Sequence, residues 1–424
     1  MLADVEFPIH TATLDNGLRV HVSPDRQVPI TAVNLWYDVG SRDELPGQTG
    51  WAHLFEHLMF QGSANVASGE HLEALQSVGG SANATTWFDR TNYFETVPKG
   101  ALNLALWMEA DRLASLADCL TETSVATQRD VVKEERRQRY DNVPYGDAIE
   151  HLIKLTFPAD HPYGHSTIGS MADLDLATRE GAQAFFREHY TTSNAVLTIC
   201  GDISPAKGFK KAQKYFGALP STPPPARRVP EPLPPLTGVP RLEVAAPVPA
   251  DAVFVSWRLP AIGHPDYDAA ALAMAILGFG MASRFYRGLI LGGLAQSASC
   301  APLGLVGGNS FGYAVAYCLP GTPAEDLEAK LLEEVALLAA NGPQPAETAR
   351  VRTQHARDWL TSLADIGRRA DAICEAATLL RDPGRVNRRL EEVNRVTDEQ
   401  IQQAAQTYLA PESRSVVHYL GGPR

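Results

Sequence analysis

The sequence has few of the features that mark secreted, membrane-spanning or nucleic-acid-binding proteins. Five cysteines in 424 residues are scattered, odd in number and without a Cys-x-x-Cys pair, which indicates reduced thiols rather than a disulfide framework. No apolar run approaches the roughly 20 residues of a membrane span. The N-terminus lacks a basic stretch followed by an apolar core, so we expect no signal peptide and a cytoplasmic location. The formal net charge of −12 disfavours nucleic acid or membrane as a partner.

The chain is long enough for two or more domains, and its patterns alternate between strand and helix. Asn16-Gly17 between two apolar runs is typical of a hairpin turn, and residues 30–39 alternate like a half-buried strand. Periodic apolar positions predict helices over 102–116 and 122–140, the second with Val125, Val131 and Val132 on its buried face.

A helix–strand unit over residues 182–201 is followed by a similar unit over 401–421, which indicates an internal duplication with a period of about 200 residues. Nine prolines between 220 and 240 are typical of an extended connector. We therefore predict an α+β fold with two structurally similar domains, each an antiparallel-rich mixed sheet packed with helices. The predicted boundaries are 1–219 for the first domain, 220–240 for the linker and 241–424 for the second domain.

The most informative stretch is His53-Leu54-Phe55-Glu56-His57. Two histidines four residues apart lie one helical turn from each other on the same face, where both imidazoles can reach a single zinc ion. Glu56 is close enough to take a proton from a water molecule bound to that ion. The pattern H-x-x-E-H is the inverse of the thermolysin-like motif. The surrounding residues are strongly apolar, and unpartnered imidazoles would be costly to bury there unless a metal bound them.

A catalytic zinc site commonly needs a third protein ligand, and the helix over 122–140 offers the adjacent acids Glu134 and Glu135. Two neighbours on a helix point about 100° apart, so they cannot share a face. Glu135 follows Val131 and Val132 by four and three residues and shares their side. We therefore predict that Glu135 is the ligand and that Glu134 pairs with a cation in solvent. The alternative is that both are ordinary surface acids.

With these motifs in place, the chain resembles the inverted-zincin peptidases related to pitrilysin, insulin-degrading enzyme and the mitochondrial processing peptidase. The resemblance covers nearly the whole length and is carried by residues 15–18, 53–57, 80–86, 129–135, 140–146, 161–165 and 283–286. Aligning Arg129 with the family's arginine also places the third zinc ligand at Glu135. The resemblance implies two similar domains, an enclosed chamber, and extended peptides that bind as an added strand along Asn83 and Ala84. The second copy has no H-x-x-E-H motif.

The chain departs from the family pattern at three positions. Gln128 stands where many relatives have a second acid. Active members usually supply an Arg and a Tyr from the second domain to hold the substrate carbonyl, and here those positions are Ile290 and Gln296. Ile290 can neither donate a hydrogen bond nor carry charge, so the oxyanion would lose stabilisation of about a hundredfold or more.

These observations predict a zinc endopeptidase subunit that hydrolyses extended or unfolded peptides. His53, His57 and Glu135 hold Zn²⁺, Glu56 is the general base, and a homologous partner chain in a heterodimer supplies the missing Arg/Tyr pair. One alternative is a self-sufficient homodimeric peptidase in which Gln296, Arg284 or Tyr286 replaces the pair. The other is a non-catalytic peptide-binding or assembly subunit.

Overall fold

The computed structural model describes residues 5–227 and 229–421. The chain forms two compact units, each assembled from three stretches of sequence. The first unit contains the chain up to Glu134, Ser166–Arg227 and Asp358–Arg389. The second contains Glu135–His165 and the described residues of 229–357 and 390–421. The division of the sequence at residues 219 and 240 stays a prediction.

Eleven strands lie within the described residues. They are β1 His10–Thr13, β2 Arg19–Pro24, β3 Ile30–Tyr37, β4 Ser81–Thr86, β5 Thr91–Pro98, β6 Ala195–Gly201, β7 Arg241–Ala245, β8 Ala252–Pro260, β9 Ala295–Leu303, β10 Asn309–Cys318 and β11 Arg414–Leu420.

Fourteen α-helices lie within the same residues. They are α1 Trp51–Leu58, α2 Glu70–Ser77, α3 Leu102–Cys119, α4 Glu122–Arg136, α5 Ala148–Thr156, α6 Met171–Asp175, α7 Arg179–His189, α8 Pro205–Phe216, α9 Tyr267–Gly278, α10 Ala324–Asn341, α11 Pro345–Ala364, α12 Ile366–Leu379, α13 Arg385–Arg395 and α14 Asp398–Tyr408. Among them, no helix is both long enough and apolar enough to cross a membrane.

The first unit is built on a six-stranded sheet with the order β1-β2-β6-β3-β5-β4. Its one parallel pair is β2 with β6, and the other neighbours are antiparallel. The predicted hairpin is confirmed, because β1 pairs with β2 across a turn in which Gly17 has a φ of 89°. Strand β4 is the last in the order, so it forms an edge of this sheet.

The second unit is built on a five-stranded sheet with the order β7-β11-β8-β10-β9. Strands β7 and β11 are parallel, and the remaining neighbours are antiparallel. This order and these directions repeat the β2-β6-β3-β5-β4 part of the first sheet. The predicted duplication and the α+β class with two similar domains are therefore confirmed.

Helices cover both sheets with apolar faces. In the second unit, buried residues of α9, α10 and α14 form one core with β8 and β10. In the first unit, α12 packs on β3 and β6. Its Cys374 thiol lies 3.0 Å from the hydroxyl of Thr198 on β6. Helix α12 therefore belongs to the first sheet, although it lies in the second half of the sequence.

Helix α4 corrects one prediction about its buried face. Val125 and Val132 are buried, but Val131, which was predicted beside them, is 42% exposed. Adjacent helical residues point about 100° apart, so the burial of Val132 does not require the burial of Val131. The α-helix ends at Arg136, and a π-helical turn continues over Arg137–Asp141.

Candidate metal centre

Helix α1 is fixed at its start by a buried carboxylate. Glu44 accepts hydrogen bonds from the backbone N–H groups of Gly50 at 2.9 Å and Ala52 at 2.8 Å. These are N–H groups that a helix cannot satisfy internally. Burial raises the pKa of Glu44, although the two backbone hydrogen bonds oppose that shift. Gly50 has a φ of 93°, a conformation that glycine adopts readily.

The apolar side of α1 holds the helix against its surroundings. Phe55 is fully buried, and its ring lies 5.6, 5.7 and 5.0 Å from the rings of Phe185, Phe186 and Tyr190. The remaining buried side chains of α1 are Trp51, Ala52, Leu54 and Leu58. This packing leaves little freedom for the helix to rotate, so its polar side has a defined direction.

That polar side consists of His53, Glu56 and His57, each partly exposed. The two imidazole rings have centroids 4.9 Å apart and planes at 85°. The structure therefore brings the motif residues together on one side of a short, well-packed helix, as their spacing predicts.

Glu135 joins the two histidines. One ligand atom from each of His53, His57 and Glu135 lies within 4.8 Å of the others. Helix α4 lies in the first unit from its start up to Glu134. Glu135 is the next residue of the same helix. Two imidazole nitrogens and one carboxylate oxygen are the donor set of many catalytic zinc sites, so the residues fit this ion.

A surface arginine also contacts the third acid. Arg139 Nη1 lies 2.6 Å from Glu135 Oε1, and the Arg139 side chain is largely exposed. Oε1 of Glu135 is thereby paired with a cation four residues further along the chain. Glu134 is exposed on the side of α4 away from the core.

Strand β4 carries the two residues that were predicted to bind substrate. Asn83 is exposed and Ala84 is buried, and the strand pairs with β5 along one side. Among the described strands, β4 has no neighbour on its other side. An edge strand of this kind can accept an added strand through backbone hydrogen bonds.

A hydrogen-bond chain supports β4 from the α12 side of the sheet. Asp371 Oδ1 accepts from Asn34 Nδ2 at 3.1 Å, Trp36 Nε1 at 2.8 Å and Asn92 Nδ2 at 3.1 Å. Asn92 Oδ1 in turn accepts from Thr85 Oγ1 at 2.6 Å. Thr85 directly follows Ala84, so α12 is linked to the edge strand through two side chains. The sequence did not predict this link.

The sequence matches two models of one peptidase family. Residues 19–170 match the family model described as insulinase, peptidase family M16, and residues 177–355 match the peptidase M16 inactive domain. The chain belongs to peptidase family M16. The second match agrees with a second domain that lacks the H-x-x-E-H motif.

Individual M16 relatives are similar over most of the chain. The zinc protease PqqE of Helicobacter pylori is 30% identical over 86% of this chain and 82% of that protein. A crystal structure of a protease from Helicobacter pylori matches with a TM-score of 0.91 at 26% identity, covering 97% of this chain and 99% of that one. A probable mitochondrial-processing peptidase subunit beta of Arabidopsis thaliana is 30% identical over 50% of this chain and 39% of that protein.

In this M16 chain, the two departing residues differ in burial: Ile290 is partly buried and Gln296 is exposed. Ile290 ends a π-helical turn over Tyr286–Ile290 and packs on the apolar core of that unit. Gln296 lies on β9 and donates from Nε2 to the backbone oxygen of Cys318 at 2.9 Å. Neither residue supplies a cationic group in this unit.

A second cluster of potential ligands was missed by sequence reasoning. His71, Glu95 and Glu109 are all buried and also bring ligand atoms within 4.8 Å of one another. Here, however, Arg112 already supplies a cation, with its Nε 3.1 Å from Glu109 Oε2 and its Nη2 3.8 Å from Glu95 Oε1. We therefore assign this cluster a structural role.

Protonation of the cluster is consistent with that role. Burial and the neighbouring Glu109 raise the pKa of Glu95. Burial alone would raise the pKa of Glu109 too, but Arg112 and a hydrogen bond with Glu95 lower it on balance. Burial and Arg112 lower the pKa of His71 to about 3. These shifts favour the neutral forms of His71 and Glu95 beside the Glu109–Arg112 ion pair.

Proposed function

We propose that this chain is the zinc-bearing subunit of an endopeptidase that hydrolyses extended or unfolded peptides. The observation that carries the proposal is the convergence of His53, His57 and Glu135, with Glu56 on the same side of α1. The relatives named zinc proteases support the choice of metal.

Three side chains would hold the metal, and a fourth side chain transfers the proton. His53, His57 and Glu135 would hold zinc, which supplies a Lewis acid that polarises the substrate carbonyl and acidifies water. A Glu56 carboxylate oxygen accepts the proton that the attacking water loses as the new C–O bond forms. Glu56 then gives this proton to the amide nitrogen as the C–N bond breaks, which yields an amine and a carboxylic acid, and the acid loses its remaining proton to solvent.

The substrate is positioned by β4 in this proposal. An extended peptide pairs with the free side of the strand along Asn83 and Ala84, through backbone groups that any sequence possesses. Recognition of this kind selects for chains that are unfolded or extended, because a folded chain has already paired its backbone. The enclosed chamber implied by the family resemblance would restrict access to such chains.

We further propose that a homologous partner completes the site. Ile290 and Gln296 do not supply the Arg/Tyr pair that active relatives use to hold the substrate carbonyl. One relative is named as the beta subunit of a processing peptidase, which supports a two-chain enzyme. A heterodimer is therefore our first proposal, and a self-sufficient homodimer is the second.

Replacement of Glu56 tests the catalytic part of the proposal. Glu56→Gln keeps the size of the side chain but removes the base, so we expect zinc to stay bound while hydrolysis of an unstructured peptide falls by about a hundredfold or more. Zinc content is measured by mass spectrometry and hydrolysis with a quenched fluorescent peptide. Glu73→Gln, on the exposed side of α2, is the matched control and should change neither reading. Unchanged hydrolysis in Glu56→Gln would remove Glu56 from the base role.

Purification with and without a partner tests the second part. Affinity capture of the tagged chain from its own cells should recover a second chain of similar length. We expect the isolated chain to bind zinc and cleave poorly, and the recovered pair to cleave efficiently. Full activity of a homodimer would exclude the heterodimer, and absence of zinc from the purified chain would favour the non-catalytic alternative.

A further inference from the structure

The first unit contains a groove where most of the chain's lysines are gathered. The sequence has eight lysines among 37 basic residues, so arginine is used almost everywhere else. Five of the eight line one cavity of about 1120 Å³, together with one arginine. We call this cavity the lysine groove and define it by its cations: Arg26, Lys99, Lys207, Lys210, Lys211 and Lys214.

Helix α8 supplies four of these lysines from a single stripe. Lys207, Lys210, Lys211 and Lys214 follow the spacing i, i+3, i+4, i+7, which places them along one face of the helix. The opposite face buries Gly208, Ala212 and Phe216. Like charges at these spacings destabilise a helix, so the stripe opposes the folding of α8 when no anion is bound.

Few acids balance this charge. Among the described residues that line the groove, Asp202 is the one acid, and its carboxylate lies 2.7 Å from Lys99 Nζ. Among the described residues, no carboxylate forms an ion pair with any of the four lysines of α8. The groove therefore carries a net positive charge on a chain whose formal net charge is −12.

We propose that the lysine groove binds an acidic, extended segment of another polypeptide chain. The buried side chains of Leu102 and Ile203 also line the groove. The volume exceeds the roughly 300–1,000 Å³ of a small-molecule pocket. Lysines on flexible stems attract negative charge without the fixed planar geometry by which arginine recognises a phosphate group.

Other polyanions fit the groove less well. None of the described side chains that line it is aromatic, so the bases of a single-stranded nucleic acid would find no stacking partner there. An anionic membrane is flat and needs charges on a protruding face, whereas these lysines line a concavity. No residue of the groove belongs to the proposed zinc site, so this proposal stands independently of the peptidase function.

Binding of a defined acidic peptide to the full chain tests the proposal. The probe is a fluorescein-labelled peptide of Glu-Gly repeats, and a Gln-Gly peptide of equal length is the neutral comparison. Fluorescence anisotropy should show binding of the acidic probe alone, with an affinity that falls steeply between about 0.02 M and 0.5 M salt as screening increases. Mass spectrometry of the recovered probe verifies that it stays intact.

Two triple variants with equal charge locate the binding. Lys207→Gln, Lys210→Gln and Lys214→Gln together should weaken binding by about tenfold. Lys133→Gln, Lys154→Gln and Lys330→Gln together, which remove the three lysines outside the groove, should leave the affinity within about twofold. Thermal unfolding verifies that both variants are folded.

Three results would overturn the proposal. One is the absence of binding to the acidic probe at low salt, and another is an equal loss of affinity in both triple variants. The third is sedimentation with phosphatidylserine vesicles that requires the groove lysines, in the absence of peptide binding, which would assign the groove to a membrane.

Discussion

Arg284 donates to both carboxylate oxygens of Glu347, from Nε to Oε1 at 3.1 Å and from Nη2 to Oε2 at 2.7 Å. Both side chains are nearly buried, and Arg287 adds a third bond to Oε1 at 2.9 Å. Although burial raises the pKa of Glu347, the hydrogen bond from Arg284 and the backbone of Gln344 lower it on balance. Breaking a buried ion pair costs about 3–5 kcal/mol, so Arg284 is poorly suited to leave Glu347 for a substrate carbonyl.

Arg284→Lys tests whether this arginine is structural. Lysine keeps the charge but loses the two parallel bonds, so we expect the free energy of unfolding to fall by about 1–2 kcal/mol. Peptide hydrolysis by the folded protein should change little. Urea unfolding and the peptide assay measure the two effects. Arg287 contacts the same carboxylate from a more exposed position, so Arg287→Lys is the matched control. A loss of activity at unchanged stability would instead indicate that Arg284 replaces the missing Arg/Tyr pair.

Glu135→Gln tests the third metal ligand. An amide oxygen is a weaker zinc ligand than a carboxylate, so the zinc affinity should fall by about a hundredfold or more. Competition with a fluorescent zinc chelator measures this affinity. Glu134→Gln makes the same change on the adjacent residue, on the exposed side of α4, and should leave the affinity nearly unchanged. Equal effects of the two changes would contradict the assignment of Glu135.

Asp371→Ala tests the link between α12 and the sheet. The change leaves buried donors on Asn34, Trp36 and Asn92 without their acceptor, so we expect a loss of about 3 kcal/mol in the free energy of unfolding. Hydrogen exchange should also become faster in β4, because Asn92 holds Thr85. Asp382→Ala removes an acid whose side chain is 44% exposed, and should cost less than about 0.5 kcal/mol. Unchanged exchange in β4 would show that the link does not support the edge strand.

Local sequence signals predicted many elements of the fold, because they depend on neighbouring residues. Asn16-Gly17 specified a hairpin, and the apolar spacing around His53 and His57 specified a helix with one polar side. The predicted buried face of α4 was partly wrong, because adjacent valines point about 100° apart and need not both be buried. Val132 faces the core and Val131 does not. Glu135 was still brought to the histidines, since it follows Val132 by three residues.

Long-range packing was beyond the sequence arguments. Helix α12 is amphipathic, but its pattern does not say which of two similar sheets it covers, and it packs on the first. The three side chains that donate to Asp371 lie on strands more than 250 residues earlier in the sequence, so no local spacing predicts these hydrogen bonds. The lysine stripe of α8 was available as a helical pattern. The structure adds that Lys99 and Arg26, which are distant in the sequence, line the same groove.

Glu328 links the stability of the second unit to pH. Glu328 accepts hydrogen bonds from Arg241 at 2.8 and 2.9 Å, from Arg414 at 2.7 Å and from His418 at 2.8 Å. Burial alone would raise the pKa of Glu328, but the bonds from His418, Arg241 and Arg414 outweigh it and lower the pKa to about 2. Since the ordinary value is 4.5, the ionised form is stabilised by folding.

The sign of this shift sets the pH range of the effect. A lowered pKa contributes stability above pH 4.5, and this contribution is lost as the pH falls towards about 2. Glu328→Gln should therefore be less stable than wild type by about 2–3 kcal/mol at pH 7, and the difference should shrink below about pH 5. Urea unfolding at a series of pH values measures it. Glu333→Gln, an exposed acid on the same helix, should show no such convergence. A difference that stays constant down to pH 2 would mean that Glu328 stabilises the unit through packing alone, because only an ionised carboxylate can lose its contribution by protonation.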